Sequence, residues 1–249
     1  MKTSNKLIIT ALLIFICSLV GYDLALKAQY KNLKKSGRLV KTKEGISYTD
    51  YDELNFKNFK DIDIQSANFM NVNVVHGEKE EVWVKKGQMP LFDITQNENS
   101  LNINLSKRGN RKFSLSTEID IFIVSPKVYE IRTGTYSNKL KENLINGRLK
   151  VIVSGFSQDS LQVNVSTGAQ ITLNRNQLKI LNSKVGDKSG NGFLKIASDN
   201  TIQALKLEAL NKSTVEILDT DIKDIDYKVA DNAMITLSGK SLREQQNHP

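Results

Sequence analysis

Leu205-Lys206-Leu207-Glu208-Ala209 and Ser213-Thr214-Val215-Glu216-Ile217 are followed by Ile225-Asp226-Tyr227-Lys228-Val229 and Ala233-Met234-Ile235-Thr236-Leu237. Both copies place apolar or small residues at offsets 0, 2, 4, 8, 10 and 12, and the second starts 20 residues after the first. Leu161, Val163, Val165, Ala169, Ile171 and Leu173 repeat the same offsets 44 residues before Leu205. Leu178-x-Ile180, the Gly-rich loop Gly186–Gly192 and Leu194-x-Ile196 fill the gap as a degenerate unit. Period-two alternation is the mark of a strand whose side chains point to opposite faces in turn. A period near 20 with two short strands and a small residue between them is what one coil of a β-solenoid needs. The small residue lets the backbone turn without a side-chain clash, and stacked coils bury what one coil alone cannot. A β-sandwich has similar strand spacing but does not require matched offsets. On the same spacing Lys206 aligns with Asp226 and Glu208 with Lys228, a surface ladder of opposite charges.

Upstream, the alternation continues in shorter pieces. Met70–Val74, Glu81–Val84, Leu91–Ile94, Leu101–Leu105 and Glu118–Val124 each read as strands, bounded by Gly, Asn, Ser or Lys clusters. After Ala28 only Ser137–Gly147 hints at a helical period. The body of the chain is therefore expected to be all-β.

The chain of 249 residues carries 35 Lys plus Arg against 27 Asp plus Glu, a formal charge of +8 and a pI near 9.3. That balance invites a nucleic-acid partner. The excess, however, sits in one strip: Lys27, Lys31, Lys34, Lys35, Arg38, Lys41 and Lys43 have no acidic residue among them. Residues 44–249 are net neutral, and the strip has no aromatic set for stacking bases beyond Tyr30. No nucleic-acid partner is expected.

What precedes the strip gives it another meaning. Leu7–Val20 is uncharged and apolar, and the run extends past Tyr22 and Asp23 to Leu26. With Leu24–Leu26 it reaches the length of about 20 residues that spans a bilayer. It lacks the small residues of a cleavage site, so an uncleaved signal anchor fits better than a cleaved signal peptide or a buried soluble helix. The strip then becomes a basic collar beside anionic lipid head groups. The positive-inside rule would put the large domain in the cytoplasm, although long domains translocate largely regardless of flanking charge.

Val72-x-Val74, Gly77, Val82-x-Val84, Leu101-x-Ile103 and Ile121-x-Ile123 with Ser125-Pro126-x-Val128 resemble the opening half of the autotransporter adhesin head GIN domain family, found in envelope proteins of Bacteroidota. Val165–Ile171 and Val229–Ile235 resemble its repeated Ser-Gly-Ala-Ser turns, with Thr167 and Asp231-Asn232 departing from the usual Ser-Gly. The resemblance spans roughly 56–240. It implies a right-handed parallel β-helix in the cell envelope, with the domain exported to the periplasm, and it implies no established activity.

The chemistry-bearing residues are sparse. Two His and one Cys exclude a disulfide framework and a Cys/His zinc site. His76 precedes Gly77 in a turn and reads as solvated. His248 lies near the chain end, and Cys17 inside the apolar run behaves as a small hydrophobe. Asp219, Asp221, Asp224 and Asp226 form the one acidic constellation, a weak calcium candidate whose spacing matches no calcium loop and which Lys223 interrupts. Gly186–Gly192 lacks the Gly-Lys-Ser/Thr ending of a phosphate loop and reads as an insertion in the repeat. Trp83, Phe92, Phe113, Phe122 and Tyr129 read as core. No catalytic residue and no cofactor is expected.

Four segments are therefore expected: a signal anchor over 1–26, a basic linker over 27–55, a β-solenoid over 56–240 and a polar tail over 241–249 that blunts the open end. The expected role is non-enzymatic, presenting an interaction or adhesion surface to an envelope protein or glycan. A polysaccharide-binding or polysaccharide-active enzyme on the same β-helix is the alternative. The oligomeric state is not readable.

Overall fold

The computed structural model describes residues 15, 18–19, 21–28, 50–107, 120–136, 149–188 and 190–246. Contacts divide the chain into two units, Met1–Asp52 and Glu53–Pro249. In the first, residues 21–28 are helical and exposed, and Lys27 pairs with Asp23 at 2.7 Å. Among the described residues no helix is long and apolar enough to cross a membrane. Most of Leu7–Val20 and the basic residues Lys31, Lys34, Lys35, Arg38, Lys41 and Lys43 lie outside the described residues, as does the Ser137–Gly147 segment.

From Tyr51 onward, across the boundary of the two units, the described chain is mostly strand. Seven strands come first: β1 (Tyr51–Leu54), β2 (Asp61–Ile64), β3 (Val72–His76), β4 (Glu81–Lys85), β5 (Phe92–Asn97), β6 (Ser100–Leu105) and β7 (Ile121–Ser125). Then β8 (Glu130–Thr133), β9 (Val151–Ser154), β10 (Ser157–Val165), β11 (Gln170–Asn174) and β12 (Gln177–Val185) follow. The last five are β13 (Phe193–Ile196), β14 (Thr201–Ala209), β15 (Thr214–Leu218), β16 (Asp221–Val229) and β17 (Met234–Ser238). One sheet holds nine strands in the order β1-β4-β7-β3-β9-β11-β13-β15-β17, and the other holds eight in the order β16-β14-β12-β10-β8-β2-β6-β5.

From β8 onward the chain alternates between the two sheets, and each strand pairs in parallel with the strand two further on. Leu161 stands opposite Leu181, Leu181 opposite Leu205 and Leu205 opposite Ile225. In the other sheet Val151, Ile171, Leu194, Val215 and Ile235 form the matching row. The rows face each other, and Leu161, Leu181, Val151, Ile171, Leu194 and Val215 are all 0% exposed. Dry apolar stripes from two sheets hold the unit together, each buried large side chain contributing about 1.5–3 kcal/mol.

The degenerate unit is framed differently from its sequence reading. The residue matching Leu161 is Leu181 rather than Leu178, and Ile180 is 39% exposed. Leu178 is buried, and so are Leu181, Ser183 and Val185, so the alternation slips by one residue across Lys179-Ile180. The same slip separates buried Ile202 from Leu205 in β14. The slip falls at the same register in both strands, where the pairing passes over Lys179 and Gln203, so strict period two is broken there.

The corners use small and polar residues. Ala169, Gly192, Ser213 and Ala233 immediately precede register-matched strand positions, as the repeat predicts for a tight turn. A Cβ at Gly192 would lie 2.8 Å from the Gly186 nitrogen and from the Val165 oxygen, so only glycine fits. Ser213 is 1% exposed, and its hydroxyl donates to the Val185 carbonyl at 2.9 Å.

At the opposite corner Asn176, Asn200, Thr220 and Ser241 stack as a buried polar ladder. Asn176 Oδ1 accepts from the Phe156 N–H (3.0 Å), and its Nδ2 donates to Val153 O (3.1 Å) and Asn200 Oδ1 (3.0 Å). Asn200 Nδ2 in turn donates to Leu173 O at 2.8 Å and Ala197 O at 2.7 Å. Backbone groups that turn away from the sheets are satisfied this way, which buried polar groups require.

Two further expectations are corrected. The first third of the domain is not uniformly parallel: β4 runs antiparallel to β7, and β5 antiparallel to β6. The β5–β6 link is a tight turn with Glu98 at φ 51°, too short for a parallel crossover. The segment after Gly239 is no plain polar tail either, because Lys240–Gln246 is a helix that packs on β16 and β17. Gly239 turns the chain at φ +61°, Asp219 accepts from the Lys240 N–H at 2.8 Å, and Ser241 closes the polar ladder on Thr220.

Candidate functional site

The polar halves of the strand alternation in the eight-stranded sheet line up on its outer face in two ranks. Asp61, Glu130, Gln162, Asn182, Lys206 and Asp226 form one, and Asp63, Arg132, Asn164, Lys184, Glu208 and Lys228 the other. Neighbouring strands lie about 4.8 Å apart, so each rank is a ladder of closely spaced polar groups. Lys206 does stand opposite Asp226, and Glu208 opposite Lys228, as the repeat spacing predicts.

One end of the face is tied into a network. Glu130 accepts from Arg132 Nη1 (2.7 Å), Asn164 Nδ2 (2.7 Å) and Gln162 Nε2 (3.1 Å), and Arg132 Nε lies 3.6 Å from the Asp63 carboxylate. Lys184 pairs with Glu208 at 3.2 Å. The far end is freer: among the described residues the side chains of Asn182, Lys206, Asp226 and Lys228 have no hydrogen-bond or ion-pair partner. A shallow open depression of about 420 Å³ lies there, bounded by Gln162, Asn164, Asn182, Lys184, Lys206, Glu208, Asp226 and Lys228. A second, of about 260 Å³, shares Asn164 and Lys184 with it and reaches Asp63, Arg132 and Asp187. A third, of about 510 Å³, lies along the other half of the long strands, where Lys179 bonds Asp159 at 2.7 Å. That bond holds the Asp159 carboxyl below the usual range.

Amides, ammonium groups and carboxylates in alternation can donate to and accept from a hydroxyl-rich or mixed-charge ligand. Open depressions keep water in contact with every group, whereas carboxylates acting as acid and base in catalysis are tuned by burial or a close like charge. Among the described residues, a titratable side chain that burial does disturb lies elsewhere. Asp120, at 2% exposure, has its carboxyl pushed above the usual range by burial, offset by the Asn71 N–H at 2.8 Å, by Gln88 and by Lys85.

The residues flagged in the sequence are dispersed. Asp219 sits at a corner, bonded to the Lys240 N–H, and Asp221 opens β16. Asp224 is exposed on the same strand, and Asp226 belongs to the polar rank. Among the described residues no group of three or more His, Cys, Asp or Glu could hold a metal ion. His76 ends β3 and is exposed, with its ring edge-on to Phe156 at 5.9 Å and 83°, a contact the turn reading missed. Cys17, Phe113 and His248 lie outside the described residues. Gly186–Gly192 is an insertion: the register advances 23 residues from Ile171 to Leu194 but 21 from Leu194 to Val215. Phe92 and Phe122 are core, and Trp83 is half-buried with its Nε1–H on Glu81. Tyr129 is not core: it is 40% exposed beside Glu130, with Lys127 at 4.7 Å and Lys60 at 5.9 Å from its ring centre.

Glu130, Arg132, Gln162, Asn164, Asn182 and Lys184 were not singled out by the sequence. The signal was present in Glu130-x-Arg132 and Gln162-x-Asn164. The misframed unit at Leu178 hid the middle of the ladder, so only its last two steps were legible.

No family model and no curated protein matches the chain. Among solved structures it is similar to a "putative adhesin" of Bacteroides fragilis NCTC 9343, with 17% identity, a TM-score of 0.48, and coverage of 76% of this chain and 93% of that one. It is also similar to a "putative lipid binding protein" of Parabacteroides distasonis ATCC 8503, with 10% identity, a TM-score of 0.34, and coverage of 76% and 94%. A "putative adhesin" of Parabacteroides merdae ATCC 43184 matches with 13% identity, a TM-score of 0.31, and coverage of 76% and 95%. At these scores the likeness carries no argument about function.

Proposed function

We propose that this chain is a non-enzymatic binding protein of the cell envelope. In this reading the two sheets are the walls of a right-handed parallel β-helix, and the outer face of the eight-stranded sheet presents its polar ranks to an extended glycan or envelope protein. The observation that carries the reading is the free far end of those ranks. Asn182, Lys206, Asp226 and Lys228 are unpartnered around an open depression of about 420 Å³. Tyr129, exposed beside Glu130 with Lys127 and Lys60 against its ring, adds an aromatic and two ammonium groups next to the ranks. The full chain titrated against a panel of neutral and acidic glycans should show saturable binding without product. Lys206→Ala and Asn182→Ala should each weaken binding roughly tenfold, the loss of one hydrogen bond to a charged or desolvated group. Turnover abolished by Glu130→Gln would overturn the non-enzymatic reading.

The apolar run from Leu7 to Leu26 is proposed to anchor the protein in the inner membrane as a single span. The seven basic residues from Lys27 to Lys43 would then lie against lipid head groups, each worth about 1 kcal/mol near an anionic surface. In this reading the β domain lies in the periplasm. Alkaline phosphatase fused after Pro249 should be active in intact cells, because that enzyme needs an oxidising compartment for its disulfides. An expressed but inactive fusion would put the domain in the cytoplasm.

A further inference from the structure

The last coil brings the core to the surface. Tyr227 and Val229 occupy the register of Leu207 and Ala209, which are 4% and 0% exposed, yet they are themselves 48% and 40% exposed. Ile225, Ile235 and Leu237 are only partly covered, although their counterparts Leu205, Val215 and Ile217 are buried. The C-terminal helix covers one end of this coil, where Ile222 is 1% exposed and Ser241 bonds Thr220. It leaves the other end bare, and its own Leu242 is 45% exposed. Of the large apolar side chains that the second unit exposes among its described residues, Tyr227, Val229, Met234 and Leu242 belong to this end, against only Tyr129 and Ile180 elsewhere. Strands β16 and β17 are also sheet edges with unpaired backbone groups.

We infer that this end is the contact surface for a second copy of the chain, meeting head to head across a two-fold axis near Tyr227. Charge selects that occupant. A two-fold pairs residues antiparallel, so an axis at Tyr227 sets Asp226 of each copy opposite Lys228 of the other and Ile225 opposite Val229. Both charge pairs are then attractive, and both apolar pairs close the bare stripe. Strand β17, Met-Ile-Thr-Leu-Ser, has no charge to oppose the approach. A surface of one sign would have required a foreign partner of the other sign, whereas this one complements itself. Among the described residues the opposite end has no matching patch: β1 and β5 are its edge strands, and neither exposes a large apolar side chain. Head-to-tail growth is therefore disfavoured, and the assembly closes at two copies. The pairing takes up Asp226 and Lys228 and leaves Asn182 and Lys206 to the depression, so the inference stands whatever those two bind.

The test uses the full chain in detergent with Cys17→Ser as the background, and sedimentation equilibrium as the readout. A concentration-dependent monomer–dimer equilibrium is expected. Tyr227→Glu should shift it by at least tenfold towards monomer and leave the melting of the dilute protein unchanged, because the side chain is half-exposed in one copy. Tyr227→Cys should form a disulfide-linked dimer on mild oxidation, since directly opposite residues on antiparallel strands have Cα atoms about 4.5–5.5 Å apart, within disulfide reach. A chain that stays monomeric up to the highest concentration reached overturns the inference. So does a dimer that survives Tyr227→Glu and gives no cross-link at position 227.

Discussion

Val215→Asp is expected to unfold the β domain or come close to it. Val215 is 0% exposed and stands between Leu194 and Ile235 in the parallel register. The substitution removes a buried apolar side chain, worth about 1.5–3 kcal/mol, and leaves a carboxylate with no partner in a dry interior. The combined cost of about 4 kcal/mol or more is a large part of the 5–15 kcal/mol that typically separates folded from unfolded chains. At about 2–4 °C per kcal/mol for a domain of this size, the melting temperature should fall by about 10 °C or more. Glu216→Asp, one residue on and pointing outward, serves as the control. Parental melting of Val215→Asp would mean that position 215 faces solvent and that the whole row from Val151 to Ile235 is out of register.

The second large effect concerns the polar ladder. Asn176→Leu should destabilise by roughly 3 kcal/mol, although it makes a buried position more apolar. It orphans the Phe156 N–H and removes the donors to Val153 O and Asn200 Oδ1. Each buried group left without its partner costs about 1–3 kcal/mol, and a leucine is also too bulky for a slot shaped by hydrogen bonds. Asn182→Leu, the same exchange on the outer face, should cost under about 0.5 kcal/mol. The contrast separates the two roles of asparagine here, measured by chemical denaturation of both variants. Equal midpoints would show that the ladder at Asn176 and Asn200 does not hold the corner.

The two positions differ in how far the sequence revealed them. Val215 belongs to a pattern written in one chemical class, apolar at fixed offsets, so its burial and its register to Ile235 could be read directly. Ala169 and Ser213 were legible for a related reason, since a small residue between two alternating runs marks a turn. Asn176, Asn200, Thr220 and Ser241 do one job with three residue types at intervals of 24, 20 and 21 residues. Any of the three types can satisfy a corner backbone group, so the residue type drifts along the ladder and no pattern forms.

The binding face was legible only where the repeat is undistorted. Lys206 over Asp226 and Glu208 over Lys228 follow from a spacing of 20 residues. Glu130, Arg132, Asn164 and Lys184 lie on the far side of the Gly186–Gly192 insertion, which shifts the frame. Polar side chains on a solvated face also carry little constraint, so their alignment shows only once the strands are stacked.

Read alone, the sequence determines that the body of this protein is a neutral, strand-built repeat, and that its positive charge is confined to a collar after an apolar run. Those are local properties: alternation within a strand, small residues at turns and charge per segment all act over a few residues. Tertiary structure decided the rest. It alone shows where the alternation in the long strands slips, that β4 and β5 run antiparallel, that Lys240–Gln246 folds as a helix over one end of the last coil, and that Tyr227 and Val229 are left bare. Each depends on which backbone groups and side chains find a neighbour far along the chain. Burial belongs to the pair of surfaces that meet, so a residue such as Tyr227 can carry a core pattern and still have nothing stacked against it.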